Sequence, residues 1–313
     1  MKPIKIVKNR SDIGAGTRGS DMGVDALEIA AINYNDDFFN NYPFEDVETH
    51  NETIYNKVKC NFAKRINFVS EQCERVRDTV FKTLTDGYFP LILSGDHSSS
   101  IGTMAAINKY LDGDNFGVIW IDAHADLHTP YTTPSGNVHG MSLAAVLGII
   151  NFSDAINKVD KFTIANWNKL IKLGVSNPIL EFNNIVYMGL RDMESQEKEI
   201  ISKKDIKNIK VQDIRNKGLE ESVSGLMKYL NSIDKIYISF DVDSLDCDLV
   251  SRGTGTPVSN GFDTIEIISI IEHMIKSDKV IAMEVSEINP LFDNRGNKMA
   301  EKTFEIIRRI FKT

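Results

Sequence analysis

The sequence predicts an α/β fold: a single three-layer α/β/α domain built around a mainly parallel, doubly wound sheet. Several short runs are apolar at nearly every position, as strands buried on both faces of a parallel sheet are. Longer segments of helical period separate them, and this alternation is the mark of a doubly wound sheet. No composition break, repeat or Pro/Gly-rich linker divides residues 1–313, so one domain is expected over that whole span.

Taken in order, the first strand is expected at Ile4–Val7. Gly14, Gly16 and Gly19 then match G-x-G-x-x-G, the pattern of a dinucleotide loop. About seven residues separate that strand from Gly14, where such a loop needs a tight turn. The reading preferred here is a flexible loop leading into a helix over GVDALEIAAI. A helix near Ser70–Asp86, with Gly87 as its stop, precedes a strand at Pro90–Ser94. Further strands are expected at Phe116–Asp122, Asn184–Leu190, Lys235–Asp243 and Lys279–Glu287. Helices are expected near Glu220–Asn231, Thr264–Lys276 and Glu301–Phe311.

Composition excludes several classes. The chain is 42% hydrophobic and 26% charged, a globular profile. A net charge of −8 argues against a nucleic-acid partner and against docking on an anionic membrane. Cys60, Cys73 and Cys247 show no pairing pattern, which predicts reduced thiols and a cytoplasmic protein. The start, MKPIKIVKNRSD, lacks the apolar core of a signal peptide. The longest apolar stretch, Leu143–Ile150, is far shorter than the ~20 residues that cross a bilayer.

The chemistry gathers where strands end. In VIWIDAHADLHTP, Asp122, His124 and Asp126 alternate, and an extended backbone points them to one side. The same holds for Asp241 and Asp243 in SFDVDSLD, and His97 follows a strand in LSGDHSSS. Singly, an Asp at a strand end is more often a cap or turn former, the reading given to Asp96. Together, four carboxylates with no Lys or Arg in these motifs would repel one another, and two divalent cations would balance them. His97 and His124 add imidazoles. Carboxylate with some imidazole and no thiolate suits Mn²⁺, with Fe²⁺, Co²⁺ or Ni²⁺ as alternatives. A pair of such ions activates water, so hydrolysis is the expected reaction class.

These motifs, with TTPSGNVHGM, GLRDMESQE, GTGTPVSNG and SEINP in that order along the chain, resemble the ureohydrolase superfamily, and most closely the arginases. The resemblance implies an arginase-like α/β domain and two Mn²⁺ per subunit. His97, Asp122, Asp126 and Asp241 would hold one ion, and Asp122, His124, Asp241 and Asp243 the other. It implies hydrolysis of L-arginine to L-ornithine and urea by a hydroxide bridging the ions, with Asp126 orienting that hydroxide. His139 matches the proton-shuttling histidine that serves the departing amine. Glu287 looks like the carboxylate that pairs with the guanidinium, and Thr256 lines the same pocket. Glu284, taken as two residues earlier on the same strand, is expected to share its side and support it. Thr133, Ser135 and Asn137 match contacts to the substrate carboxylate, while Asp192, Glu194 and Glu197 fall on the loop that reads the α-amino group. His128 and Glu194 depart from the residues many arginases carry there, Asn and Asp. The family also implies a homo-oligomer, a trimer or hexamer.

Two other readings stand beside this one. An agmatinase, or a hydrolase of another guanidino or formimino acid, would keep the metal chemistry and change the substrate. A metal-binding regulatory protein without catalysis would keep only the ligands.

Overall fold

In the computed structural model, which describes residues 2–150, 155–294 and 296–311, eight parallel strands form one sheet. The expected bounds 1–313 extend past the described residues at both ends. The strands are β1 (Ile4–Asn9), β2 (Phe44–Asp46), β3 (Phe89–Ser94), β4 (Gly117–Ile121), β5 (Ile185–Met188), β6 (Lys207–Ile209), β7 (Ile236–Asp241) and β8 (Val280–Ser286). Their spatial order is β2-β1-β3-β8-β7-β4-β5-β6. Every pairing is parallel, so the sheet is wholly parallel where a mainly parallel one was expected.

Alternation along each strand feeds two cores. In β4, Ile119 and Ile121 face one layer while Val118 and Trp120 face the other. The first layer holds helices Gly23–Asn33, Leu219–Tyr229, Thr264–Ile275 and Lys298–Ile310. The second holds Ile66–Thr85, Ser100–Tyr110, Ser142–Val146 and Lys161–Leu170. Each large apolar side chain sealed between layers stabilises the fold by about 1.5–3 kcal/mol. Caps set some boundaries. Asp263 accepts from the Glu266 N–H and Glu266 from the Asp263 N–H, both at 2.8 Å, at the start of Thr264–Ile275.

The six expected strands form, within two residues at either end. The two unexpected ones, β2 and β6, are three-residue edges (FED and KNI) whose pairing rests on a neighbour rather than on apolar pattern. Helix Ser100–Tyr110 also escaped notice: it is buried on nearly every side, so it has no polar face to give a period. Gly14–Gly19 leads into helix Gly23–Asn33 as expected, but it is anchored. Ser11 to Ala15 are buried, and the Gly14 N–H donates to Asp96 at 2.8 Å.

β3, β8, β7 and β4 lie side by side in the middle of the sheet. The chain changes direction of winding there, and the crevice beyond the carboxyl ends of such strands is where open α/β sheets bind ligands.

Candidate active site

Each of the four central strands delivers an ionisable residue at or just past its end: His97 after β3, Glu287 after β8, Asp241 on β7 and Asp122 after β4. His97 Nδ1 stands 3.0 Å from Asp122 Oδ2, 3.1 Å from Asp241 Oδ2 and 3.2 Å from Asp126 Oδ2. On the other side of Asp122, His124 Nδ1 lies 3.6 Å from Asp122 Oδ1 and 2.9 Å from Asp243 Oδ2. The two oxygens of Asp122 therefore face two different imidazoles. These groups fit the divalent ions that the sequence calls for. His97 Nδ1 and Asp122 Oδ2 are buried without a hydrogen-bond partner, and the carboxylates are crowded. Burial, then the charge of Asp122, pushes Asp126 up to about 6. Burial, then Asp243 and Asp122, holds Asp241 well above the usual carboxylate range. Cations placed among these oxygens would relieve that repulsion.

The convergence does not arise as the sequence reading argued. β4 ends at Ile121, so Asp122, His124 and Asp126 lie on a loop, not on one face of a strand. Asp126 reaches its neighbours by taking φ 51°, and its carbonyl accepts from the N–H groups of Leu143 and Ala144 at 3.0 and 3.2 Å. Asp243 sits in the 3₁₀ turn Val242–Ser244, where the Asp241 carboxylate accepts its N–H at 2.8 Å. Glu287 likewise has φ 67°, held by its N–H donating to the Gly95 carbonyl at 2.8 Å. Such backbone costs of order 1–3 kcal/mol per residue and persists where the surroundings over-determine it.

The rim is built from loops. His139 Nδ1 lies 2.9 Å from Glu287 Oε1; burial opposes its charge, but Glu287 raises it to about 9. His128 Nε2 meets Glu194 Oε2 at 3.1 Å, and its Nδ1 meets Thr132 Oγ1 at 3.2 Å. Glu197 is buried, accepting from the N–H groups of Leu127 and Glu194, both at 3.1 Å. Thr133, Ser135, Asn137 and Thr256 line the same cleft, which encloses about 160 Å³. Thr256 Oγ1 donates to Asp243 Oδ2 at 2.9 Å. Asp192 stands apart: its side chain is 66% exposed, it does not line the cleft, and it approaches only the outer Nε2 of His124, at 3.8 Å. Glu284 is also outside. It lies on β8 three residues before Glu287, which stands past the strand end on a left-handed backbone, and it is fully buried. A larger cleft, of about 800 Å³, lies at the opposite edge of the sheet, but its lining of Lys235, Lys276 and Val280 brings no His–Asp cluster.

Sequence reasoning missed several supports. Lys64 Nζ donates to Asn137 Oδ1 at 3.1 Å. The Arg191 guanidinium donates to the carbonyls of Asp243, Val258 and Ser259 at 2.8 to 3.0 Å, tying two loops of the site together. Trp120 stacks on His97 with ring centroids 4.1 Å apart. The glycine motif has a different use from a phosphate cradle: a Cβ on Gly16 would come within 2.3 Å of the Asn137 side chain. Gly136, at φ 76°, passes so close to the Asn61 carbonyl that a Cβ would overlap it. None of these signals has a sequence period.

A wholly parallel α/β sheet with two imidazole–carboxylate cradles sharing one Asp at its carboxyl edge defines a binuclear metal-dependent type of hydrolase. The model of the arginase family matches residues 3–312, and the chain belongs to that family. Among its relatives, the arginase of Bacillus subtilis is 31% identical over 311 residues, 99% of this chain and 97% of that one. The solved structure of the Bacillus caldovelox arginase superposes with a TM-score of 0.83 at 30% identity, over 100% of this chain and 99% of that one. A structure described as a hypothetical agmatinase from Burkholderia thailandensis, 16% identical, shares the fold with a TM-score of 0.70 over 98% of this chain and 84% of that one.

Proposed function

We propose that the protein is an arginase, hydrolysing L-arginine to L-ornithine and urea. The observation that carries this is Asp122 set between the Nδ1 atoms of His97 and His124, with the His139–Glu287 pair lining the same cleft. His97, Asp122, Asp126 and Asp241 would hold one divalent ion, and Asp122, His124, Asp241 and Asp243 the other, with Mn²⁺ favoured by the oxygen-rich donor set. When bound, the ions supply a water made acidic enough to attack and a positive field for the charge that develops.

The remaining work falls to the chain. Glu287 offers a buried carboxylate to the flat guanidinium, which suits a two-point ion pair. His139 already occupies Glu287, so the arriving guanidinium competes with it. Losing that partner lowers the hold of His139 on its proton, and the proton then passes to the departing ornithine amine. Asp126 would orient the attacking water through its carboxylate. At the far end, Thr133, Ser135, Asn137 and His128 receive the α-carboxylate, and Glu194 and Glu197 the α-ammonium, with Asp192 a more distant charge. Thr256 steadies Asp243.

The three cysteines are free and buried, which agrees with a cytoplasmic setting, and no helix of the described residues is long and apolar enough to cross a membrane. The family's trimer or hexamer is carried over as part of this reading; Leu249 and Leu291, each 65% exposed, offer apolar surface for it.

The test is urea release from L-arginine and from agmatine, side by side, after loading with Mn²⁺, Co²⁺ or nothing. Metal-dependent turnover of arginine alone is expected. Turnover of agmatine instead overturns the substrate, and silence on both with metal bound points to another guanidino substrate or to a non-catalytic role.

A further inference from the structure

A neutral imidazole offers a lone pair from one nitrogen only, because the other carries the proton. His97 turns Nδ1 toward Asp122, Asp126 and Asp241, so an ion held there requires Nδ1 bare and Nε2 protonated. A row of buried hydroxyls behind the ring decides which nitrogen that is. His97 Nε2 lies 2.7 Å from Ser239 Oγ. The Ser239 hydroxyl meets the hydroxyl of Tyr237, two positions earlier on the same face of β7. Tyr237 OH donates to Glu284 Oε2 at 2.9 Å. Glu284, on the adjoining β8 and in register with Ser239, is wholly buried. Its Oε1 accepts from Ser94 Oγ at 2.7 Å, and its Oε2 also accepts from Thr103 Oγ1 at 2.6 Å.

A carboxylate accepts and never donates, so it sets the direction of everything bonded to it. Tyr237 spends its proton on Glu284, Ser239 then gives its proton to Tyr237, and the Ser239 oxygen is left to accept from His97 Nε2–H. The opposite order would put the proton on Nδ1, in the mouth of the metal cradle.

We propose that Glu284 is a positioning residue for the metal centre: through Tyr237 and Ser239 it holds His97 in the one tautomer that can ligate. The proposal rests on the metal site of the function proposed above and is independent of which guanidino compound is the substrate. It also gives the buried carboxyl of Glu284, which lies outside the cleft, a part in the chemistry.

The test measures how tightly the purified full-length protein holds Mn²⁺, by metal content against graded chelator, for wild type, Tyr237→Phe, Ser239→Ala and Thr103→Val. Wild type retaining two ions establishes the metal reading by itself. Tyr237→Phe and Ser239→Ala each break the row, so each should weaken one of the two ions by about 10- to 100-fold. Thr103→Val removes a bond to the same Glu284 oxygen without touching the row, so it should hold both ions like wild type. If Tyr237→Phe misfolds, Ser239→Ala reads the same quantity. Two ions held as tightly by the broken-row variants as by wild type would overturn the proposal. So would equal ion loss in Thr103→Val, which would reduce the row to packing. Wild type that binds no pair of ions would instead overturn the metal reading beneath it.

Discussion

The floor and the rim of the cleft are built on opposite principles. The floor residues His97, Asp122, Asp241 and Asp243 have side chains no more than 3% exposed and stand on or just beyond central strands. At the rim, Glu194 is 54% exposed and stands on a connecting loop. A strand end packed on both faces has no alternative rotamer to offer, whereas a loop side chain can follow its ligand. The floor is therefore suited to fixed chemistry and the rim to choice among substrates.

The contrast can be broken most forcefully at the floor. Asp126→Ala or His97→Ala should remove several kcal/mol of transition-state stabilisation, a loss of about 10³-fold in urea release from arginine. Arginine turnover that survives either change would sink the metal mechanism. Next, His139→Gln should lower kcat by about 10²-fold, within the range for one general acid, and leave metal content intact. At the rim, Ser135→Ala and Asn137→Ala should each raise KM for arginine by about tenfold, near 1.4 kcal/mol. Unchanged kcat is expected with them, and arginine KM values equal to wild type would remove these residues from the carboxylate site.

A pH scan of the metal-free protein sharpens the comparison further. Glu287 raises His139 to about 9 in the folded state, so their pairing stabilises the fold fully below ~6.5 and the gain disappears as pH rises through about 9. The unfolding free energy lost in His139→Gln should thus shrink by on the order of 3 kcal/mol between about pH 6 and about pH 10. The smallest effect is expected away from the cleft. Asp263→Ala removes a helix cap and should cost about 1 kcal/mol in denaturant unfolding, with arginine turnover unaltered.

How far the sequence could be read follows the same division. The floor was legible because charge and spacing constrain it: four carboxylates and two imidazoles near strand ends need cations whatever the loop geometry. The reason given for their convergence was nonetheless incomplete. Asp126 joins through a left-handed backbone, which no alternation predicts. The rim was legible only through family resemblance, since Ser135, Asn137 and Glu194 have no period and no forced charge balance. Asp192 came with that resemblance, and the structure sets it outside the cleft. Within the fold, long central strands announced themselves by their apolar runs, and the three-residue edges β2 and β6 did not. Glu284 was misplaced by a count: it precedes Glu287 by three residues, not two, and Glu287 stands past β8 on a left-handed backbone where strand alternation no longer applies.

The sheet order has a consequence for when this site can come into being. β7 and β8 are the last of the eight described strands, yet they fill the middle of the sheet, between β3 and β4. Until they insert, the earlier strands form two separate halves. The backbone N–H of His97 finds its Glu287 partner 190 residues further on. Contacts of such separation close slowly, because the loop entropy is lost before the contact is gained. Ion uptake should accordingly be among the last events after dilution from denaturant, tracking insertion of the final strands rather than early collapse. On the ribosome the same order means that a nascent chain has no complete cradle until its C-terminal strands have emerged. Metal retention thus reports that β7 and β8 have joined the sheet.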